Sequence, residues 1–251
     1  MYKKAFARRL RDNKFLIHLW EDEGYSKVEW DNQAYIECNE AEAKYKGLNG
    51  ESLKKVKNYN KDNPKLHFHD MPPYQKFLIE KYGINDTPST THRELFFDIE
   101  CEMLDDMSEE GLKKANKKIT SIAWYDKQVD EWGIVILDEK NHFGSNIKTK
   151  SNKKIIPCRN EGELLAKFLE IFRDIDPDII VGWNSDYFDI PYLYYRMCKV
   201  LGQDFAKHLS PIGYVRETPW FKDQYIQICG VESLDYMRLH KKFSWADEPS
   251  M

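Results

Sequence analysis

Apolar and polar residues alternate through "ELFFDIECEM", so an extended chain carries Leu95, Phe97, Ile99, Cys101 and Met103 on one side and Phe96, Asp98, Glu100 and Glu102 on the other. The pattern predicts a strand over residues 93–103 with one buried face and one acidic face. An antiparallel strand with a solvated outer face would account for these acids taken alone. The same period of two runs through residues 14–38, broken at 21–24, and predicts a hairpin or small meander. "KITSIAWYD" and "EWGIVILD" add two short strands and suggest an antiparallel meander. The period changes in "EGELLAKFLEIFRDIDPD", where Leu164, Leu165, Phe168, Leu169 and Phe172 recur at helical spacing and the helix must stop before Pro177. "DIIVGWN" has the unbroken apolar run of a buried strand. "FDIPYLYYRMCKVLG" predicts a helix opening at Asp189, with Pro191 in its first turn and Gly202 at its close. "PPYQKFLIEKYG" is a shorter helix that Gly83 can end. The polar stretch 39–64 has no clear period, and the Lys-rich "IKTKSNKKIIPCRN" is expected to be an exposed loop.

Turn chemistry in "INDTPSTTHR" places a domain boundary at 88–91. The expected organisation is a smaller β-rich domain over 1–90 and an α/β domain over 91–251. In the second, three strands, a helix, a strand and a helix form a layered mixed sheet with flanking helices.

The composition of the 251 residues, 41% apolar and 32% charged, is that of a globular chain and excludes general disorder. Its net charge of −4 exerts no global pull on nucleic acid, so such a partner must be held by local basic patches or through metal ions. Five cysteines, Cys38, Cys101, Cys158, Cys198 and Cys229, include no C-x-x-C pair, which points to reduced thiols in the cytoplasm and away from a disulfide framework or zinc site. The basic start is followed only by "FLIHLW", too short for a signal-peptide core, and no membrane segment is expected. His67 and His69 could bind a metal from one strand face, but no further ligands cluster near them and a surface pair is expected.

Chemistry enters when the acidic strand is set beside "IIVGWNSDYFDIPYL". Asp189 alone is a helix-entry carboxylate favoured by the helix dipole, with Asn184 serving the turn. Together, D-x-E on a first strand and N-x-x-x-F-D after a fourth can bring three carboxylates to one end of a sheet. Such a group is costly unless cations neutralise it. Hard oxygen ligands suit magnesium or manganese. Two such ions, roughly 3.5–4 Å apart, can activate a water and stabilise the leaving oxygen of a phosphodiester.

"FFDIE" (96–100) resembles the first exonuclease motif, and "NSDYFD" (184–189) the second, of family B DNA polymerases, especially those of tailed phages. "MPPYQKFLIEKYG" and "SLDYMRLHKKFSW" are similar to the flanking sequence of the phage members. The resemblance runs from about Trp20 to the end. It implies a ribonuclease-H-like 3′–5′ proofreading exonuclease domain preceded by the polymerase's N-terminal domain. It makes Asp98, Glu100 and Asp189 catalytic metal ligands for two Mg2+ or Mn2+ ions, with Asp98 bridging both and Glu100 on the side of the attacking water. Asn184 and Phe188 would support the site or touch the terminal nucleotides; turn hydrogen bonding and helix-sheet packing are the alternatives. Residues 210–230 fall where the family has a β-hairpin that helps separate primer from template, and Trp220 and Phe221 at its tip are candidates for base stacking. Asp235 fits structural hydrogen bonding better than ligation, and Glu102 extends the acidic face into solvent. The implied partners are a single-stranded DNA 3′ end, primer-template DNA and the remaining polymerase domains, as a continuation or a companion chain.

The family's third motif, Y-x-x-x-D, is absent after Asp189; Tyr82 to Asp86 matches it but precedes the first motif. The expectation is therefore a front portion of a polymerase, weakly active or inactive alone. A catalytically silent nucleic-acid-binding or assembly subunit of a split polymerase is the alternative.

Overall fold

In the computed structural model, which describes residues 1–47, 49–90, 92–143, 152–218 and 226–244, the chain divides into two units, Met1–Thr90 and Thr91–Met251. In the first, the alternating text becomes β1 (Tyr2–Arg9), β2 (Lys14–Glu21) and β3 (Gly24–Asp31), an antiparallel sheet in that order. Ile17 and Leu19 on one face of β2 pack with Phe77 and Leu78 of α1 (Pro73–Tyr82). Pro at the helix start and Gly83 at φ 58 bound α1 as expected. A second antiparallel sheet has the order β5-β6-β4-β7, from β4 (Ala34–Glu37), β5 (Tyr45–Lys46), β6 (Ser52–Val56) and β7 (Leu66–His67). β1 and β6 lie in basic or polar text where no strand is expected. Leu53 shows why β6 forms: it is the buried residue on an otherwise Lys-rich strand.

The second unit is built on a six-stranded mixed sheet. Its strands are β8 (Glu94–Cys101), β9 (Ile119–Asp126), β10 (Glu131–Leu137), β11 (Lys153–Cys158), β12 (Ile179–Gly182) and β15 (Glu232–Asp235), ordered β11-β10-β9-β8-β12-β15. β8, β9 and β10 form the expected antiparallel meander, while β12 runs parallel to both β8 and β15. The Lys-rich stretch is not wholly a loop: β11 pairs in parallel with β10 at the sheet edge. Its lysines are exposed and only Cys158 is buried, which is how edge strands remain soluble.

Between β8 and β9 lies a short helix, α2 (Glu109–Lys114). α3 (Glu161–Ile175) buries all five of its apolar positions named above against the sheet. Asn160 caps it by accepting the Glu163 N–H at 2.9 Å, and Asp176 ends it in the left-handed region, just before Pro177. α4 (Asp189–Val200) buries Ile190, Tyr192, Leu193 and Met197 in the same core, which also holds Leu95, Phe97 and Ile99 of β8. Then follow α5 (Gln203–Ala206), the antiparallel pair β13 (Val215–Glu217) and β14 (Ile226–Ile228), β15, and α6 (Tyr236–Phe243). This mixed sheet with flanking helices, preceded by antiparallel β-sheets, is the expected ribonuclease-H-like architecture. Among the described residues, no helix is long and apolar enough to cross a membrane.

Candidate active site

β8 keeps Leu95, Phe97 and Ile99 in the core and holds Asp98 and Glu100 exposed on its other face. Because β12 is parallel to β8, with Val181 opposite Phe96, it ends beside the acids. The chain must then turn from Gly182 into α4 within six residues. At Gly182 a Cβ would lie 2.7 Å from the Ser185 Cβ, so the turn closes onto a position that only glycine leaves open. Asn184 sits at φ 59, a left-handed conformation that asparagine tolerates, and its carbonyl accepts the N–H groups of Tyr187 and Phe188. Asp189 then opens α4, 3% exposed, and its Oδ1 accepts the Ile99 N–H at 3.1 Å. That bond fixes Asp189 to the strand residue lying between Asp98 and Glu100.

Burial raises the Asp189 carboxyl to about 7; the Ile99 N–H opposes the rise and the charge of Asp98 adds to it. Asp98 is raised too, by desolvation and then by Glu100. The Cys101 thiol is pushed up by burial first and then by Glu100, Asp189 and Glu102. Asp98 therefore senses the charge of Glu100, and Asp189 that of Asp98. Among the described residues, no three His, Cys, Asp or Glu side chains are drawn together closely enough to hold an ion as they stand. The donor chemistry nevertheless fits a hard divalent cation: the three groups are carboxylates whose mutual repulsion a cation would relieve.

The Phe188 ring stacks on Tyr192 at 5.7 Å and packs against the core, which gives it a structural place in the helix entry. Trp220 and Phe221 lie outside the described residues; β13 and β14, on either side of them in the sequence, pair antiparallel. His67 bonds Glu37 at 3.2 Å, and Phe68 at φ 60 breaks the strand before His69, so the two histidines share no strand face. Exposed Glu102 accepts the Lys118 N–H at 3.2 Å.

Sequence reasoning missed Asp186, which is buried and accepts from Ser233 Oγ at 2.6 Å and Arg238 Nη1 at 2.9 Å. Its partners lie about fifty positions away, so no local pattern announces them. Also missed is a cleft of about 450 Å³ on the sheet face beside Asp98, lined by Phe96, Tyr125, Trp132, Trp183 and Tyr236. Tyr125 and Trp132 stack at 4.1 Å across β9 and β10. A weak signal existed, since Phe96 and Asp98 share a strand face.

The mixed sheet with flanking helices is that of the ribonuclease-H-like class. The family described as DNA polymerase family B, exonuclease domain, matches residues 52–247, more than three quarters of the chain. The chain belongs to that family, whose exonuclease domain is a 3′–5′ hydrolase generally dependent on divalent metal. It is 37% identical over 129 residues to the DNA-directed DNA polymerase of Escherichia phage RB69, a match covering 49% of this chain and 14% of that protein. It is 34% identical over 99 residues to the DNA-directed DNA polymerase of Enterobacteria phage T4, covering 38% and 11%. The DNA polymerase of Pyrococcus glycovorans is 29% identical over 141 residues, covering 54% and 16%. The chain thus spans a small part of the length of the curated relatives it matches.

Proposed function

We propose that this chain hydrolyses DNA from a 3′ end, as the proofreading part of a family B polymerase, at a site made by Asp98, Glu100 and Asp189. The observation that carries the reading is the Asp189–Ile99 bond, which anchors a buried carboxylate on the strand segment that bears the other two. Asp98, Glu100 and Asp189 would hold the two Mg2+ or Mn2+ ions. When bound, the cations supply an ionised water and counter-charge for the attacking and leaving oxygens.

The residues of the chain itself prepare this site. The Ile99 N–H favours ionised Asp189, Asn184 shapes the turn, and Phe188 braces the helix entry. The aromatic cleft beside Asp98 offers ring surfaces on which unpaired bases can stack whatever their sequence, which suits a single-stranded 3′ end. Primer-template DNA and the other domains of a polymerase, continuous or in a companion chain, are the partners that fit the likeness to phage polymerases. Trp220 and Phe221 are proposed to stack on bases, and the cytoplasm is the proposed compartment.

The test is magnesium-dependent shortening of a 5′-labelled single-stranded DNA, with an RNA of the same sequence in parallel and Asp98→Ala as control. Weak stepwise loss from the DNA 3′ end that vanishes in the variant is expected of the chain alone, since the third motif's carboxylate and tyrosine are absent after Asp189. DNA binding without cleavage would instead make the chain a nucleic-acid-binding subunit, and preference for RNA would remove the polymerase reading.

A further inference from the structure

The turn that delivers Asp189 is held from outside. Between β12 and α4 the backbone N–H groups of Asn184 and Asp186 have no strand partner in register, yet both are bonded: Asn184 donates to Asp235 Oδ1 at 2.9 Å and Asp186 to Asp235 Oδ2 at 3.2 Å. Asp235 is 4% exposed and ends β15, where it lies opposite Gly182 in the parallel ladder. The same Oδ1 also accepts the Met237 N–H at 2.9 Å, so Asp235 is the N-cap of α6 as well. Both carboxylate oxygens are committed to backbone donors, which argues against Asp235 as a metal ligand. Asp186, whose N–H it holds, is in turn tied by its side chain to Ser233 and Arg238 on the same β15–α6 segment. The turn is thereby clamped to a segment about fifty positions downstream, at the glycine end of β12 and three residues before Asp189.

We infer that Asp235 is a positioning residue of the acidic site: by gripping the Asn184 and Asp186 N–H groups it sets where Asp189 enters, and so whether Asp189 reaches the Ile99 N–H beside Asp98 and Glu100. The inference rests on the reading of Asp189 as part of the metal site. A helix cap alone would stabilise α6 and leave the site indifferent. Serine separates the two roles, because its single oxygen can cap α6 yet cannot span to both N–H groups of the turn.

The experiment compares the full chain with Asp235→Ser and Asp235→Asn by amide hydrogen exchange at Ile99, and by Mn2+ binding measured from water-proton relaxation, with thermal unfolding as a check on folding. Exchange at Ile99 at least about tenfold faster, with Mn2+ binding about 10–100-fold weaker in a chain that still folds, is the expected result. Unchanged exchange at Ile99 in either folded variant overturns the inference, because Asp189 then reaches its place without the clamp. Should the unaltered chain bind no Mn2+, the metal reading fails by itself, and exchange at Ile99 still decides the role of Asp235.

Discussion

Asp189, buried and bonded to the Ile99 N–H, ties stability to pH in one side chain. Its folded carboxyl holds a proton up to about 7, against 3.8 for an unburied aspartate. Across that window the folded state binds more protons than the unfolded state, so the metal-free chain loses stability as pH rises from about 4 to about 7. Asp189→Asn keeps an oxygen for the Ile99 N–H and removes the charge. Urea unfolding should show this slope reduced and the variant more stable by about 1–3 kcal/mol near pH 8, although on the proposed function the same change should remove nuclease activity. The neighbouring glycine makes a second demand. Gly182→Ala must push aside Ser185, whose Cβ would be 2.7 Å away, and should cost about 1–3 kcal/mol in urea. The placement of Asp98 and Glu100 on the outer face of β8 and of Asp189 at the opening of α4 was legible in the sequence because alternation and helix entry are local signals. The demand at Gly182 and the burial of Asp186 were not, since each is set by atoms that only the closed turn brings near.

Elements were legible where burial writes a period into the text. α3 and α4 each present an apolar stripe to one sheet, and β8 alternates between core and solvent. β11 was hidden because an edge strand with lysines outward looks like a loop, and β1 because its basic residues mask the short apolar positions. The element contacts also hold a charged lock invisible to periodicity. Arg196 of α4 donates from Nε to Glu161 Oε1 at 2.7 Å and from Nη1 to the Ala115 carbonyl at 2.7 Å, while Glu161 Oε1 accepts the Ile119 N–H at 2.8 Å. This joins the end of α2, the start of β9, the first turn of α3 and the body of α4, all with both charged side chains buried. Glu161→Ala leaves a buried guanidinium without its counter-charge and should lower stability by about 3–5 kcal/mol in urea unfolding. The pair Glu161→Met with Arg196→Met should cost less than Glu161→Ala alone, because no buried charge is then left unpaired and only the Ile119 N–H and the Ala115 carbonyl lose their side-chain partners. A double variant as unstable as Glu161→Ala would show that the bonds to the Ile119 N–H and the Ala115 carbonyl, and not the ion pair, carry the lock.

Across the chain, the net charge of −4 and an acidic site work against a polyanion, while the aromatic cleft beside Asp98 works for one. The balance should therefore turn on divalent metal. Without it, phosphates near Asp98 and Glu100 meet like charge, and stacking on rings such as Trp183, 59% exposed, is the main attraction on offer. On the proposed reading, Mn2+ held by the acids would offer phosphate a counter-charge, and both terms would act together. Fluorescence anisotropy with a single-stranded DNA, at fixed ionic strength, should show binding strengthened on replacing EDTA by Mn2+. Asp98→Ala should remove that gain while leaving the metal-free affinity equal or slightly higher, since one negative charge is lost. Trp183→Ala should weaken binding by about 1–3 kcal/mol in both conditions, as the loss of one stacking surface does. The two variants thus separate along different axes, one changing the response to metal and the other the baseline. A Trp183→Ala loss confined to Mn2+ would mean that the cleft receives DNA only after the acids are neutralised, which would make the cation the gate to the aromatic surface and not just its neighbour.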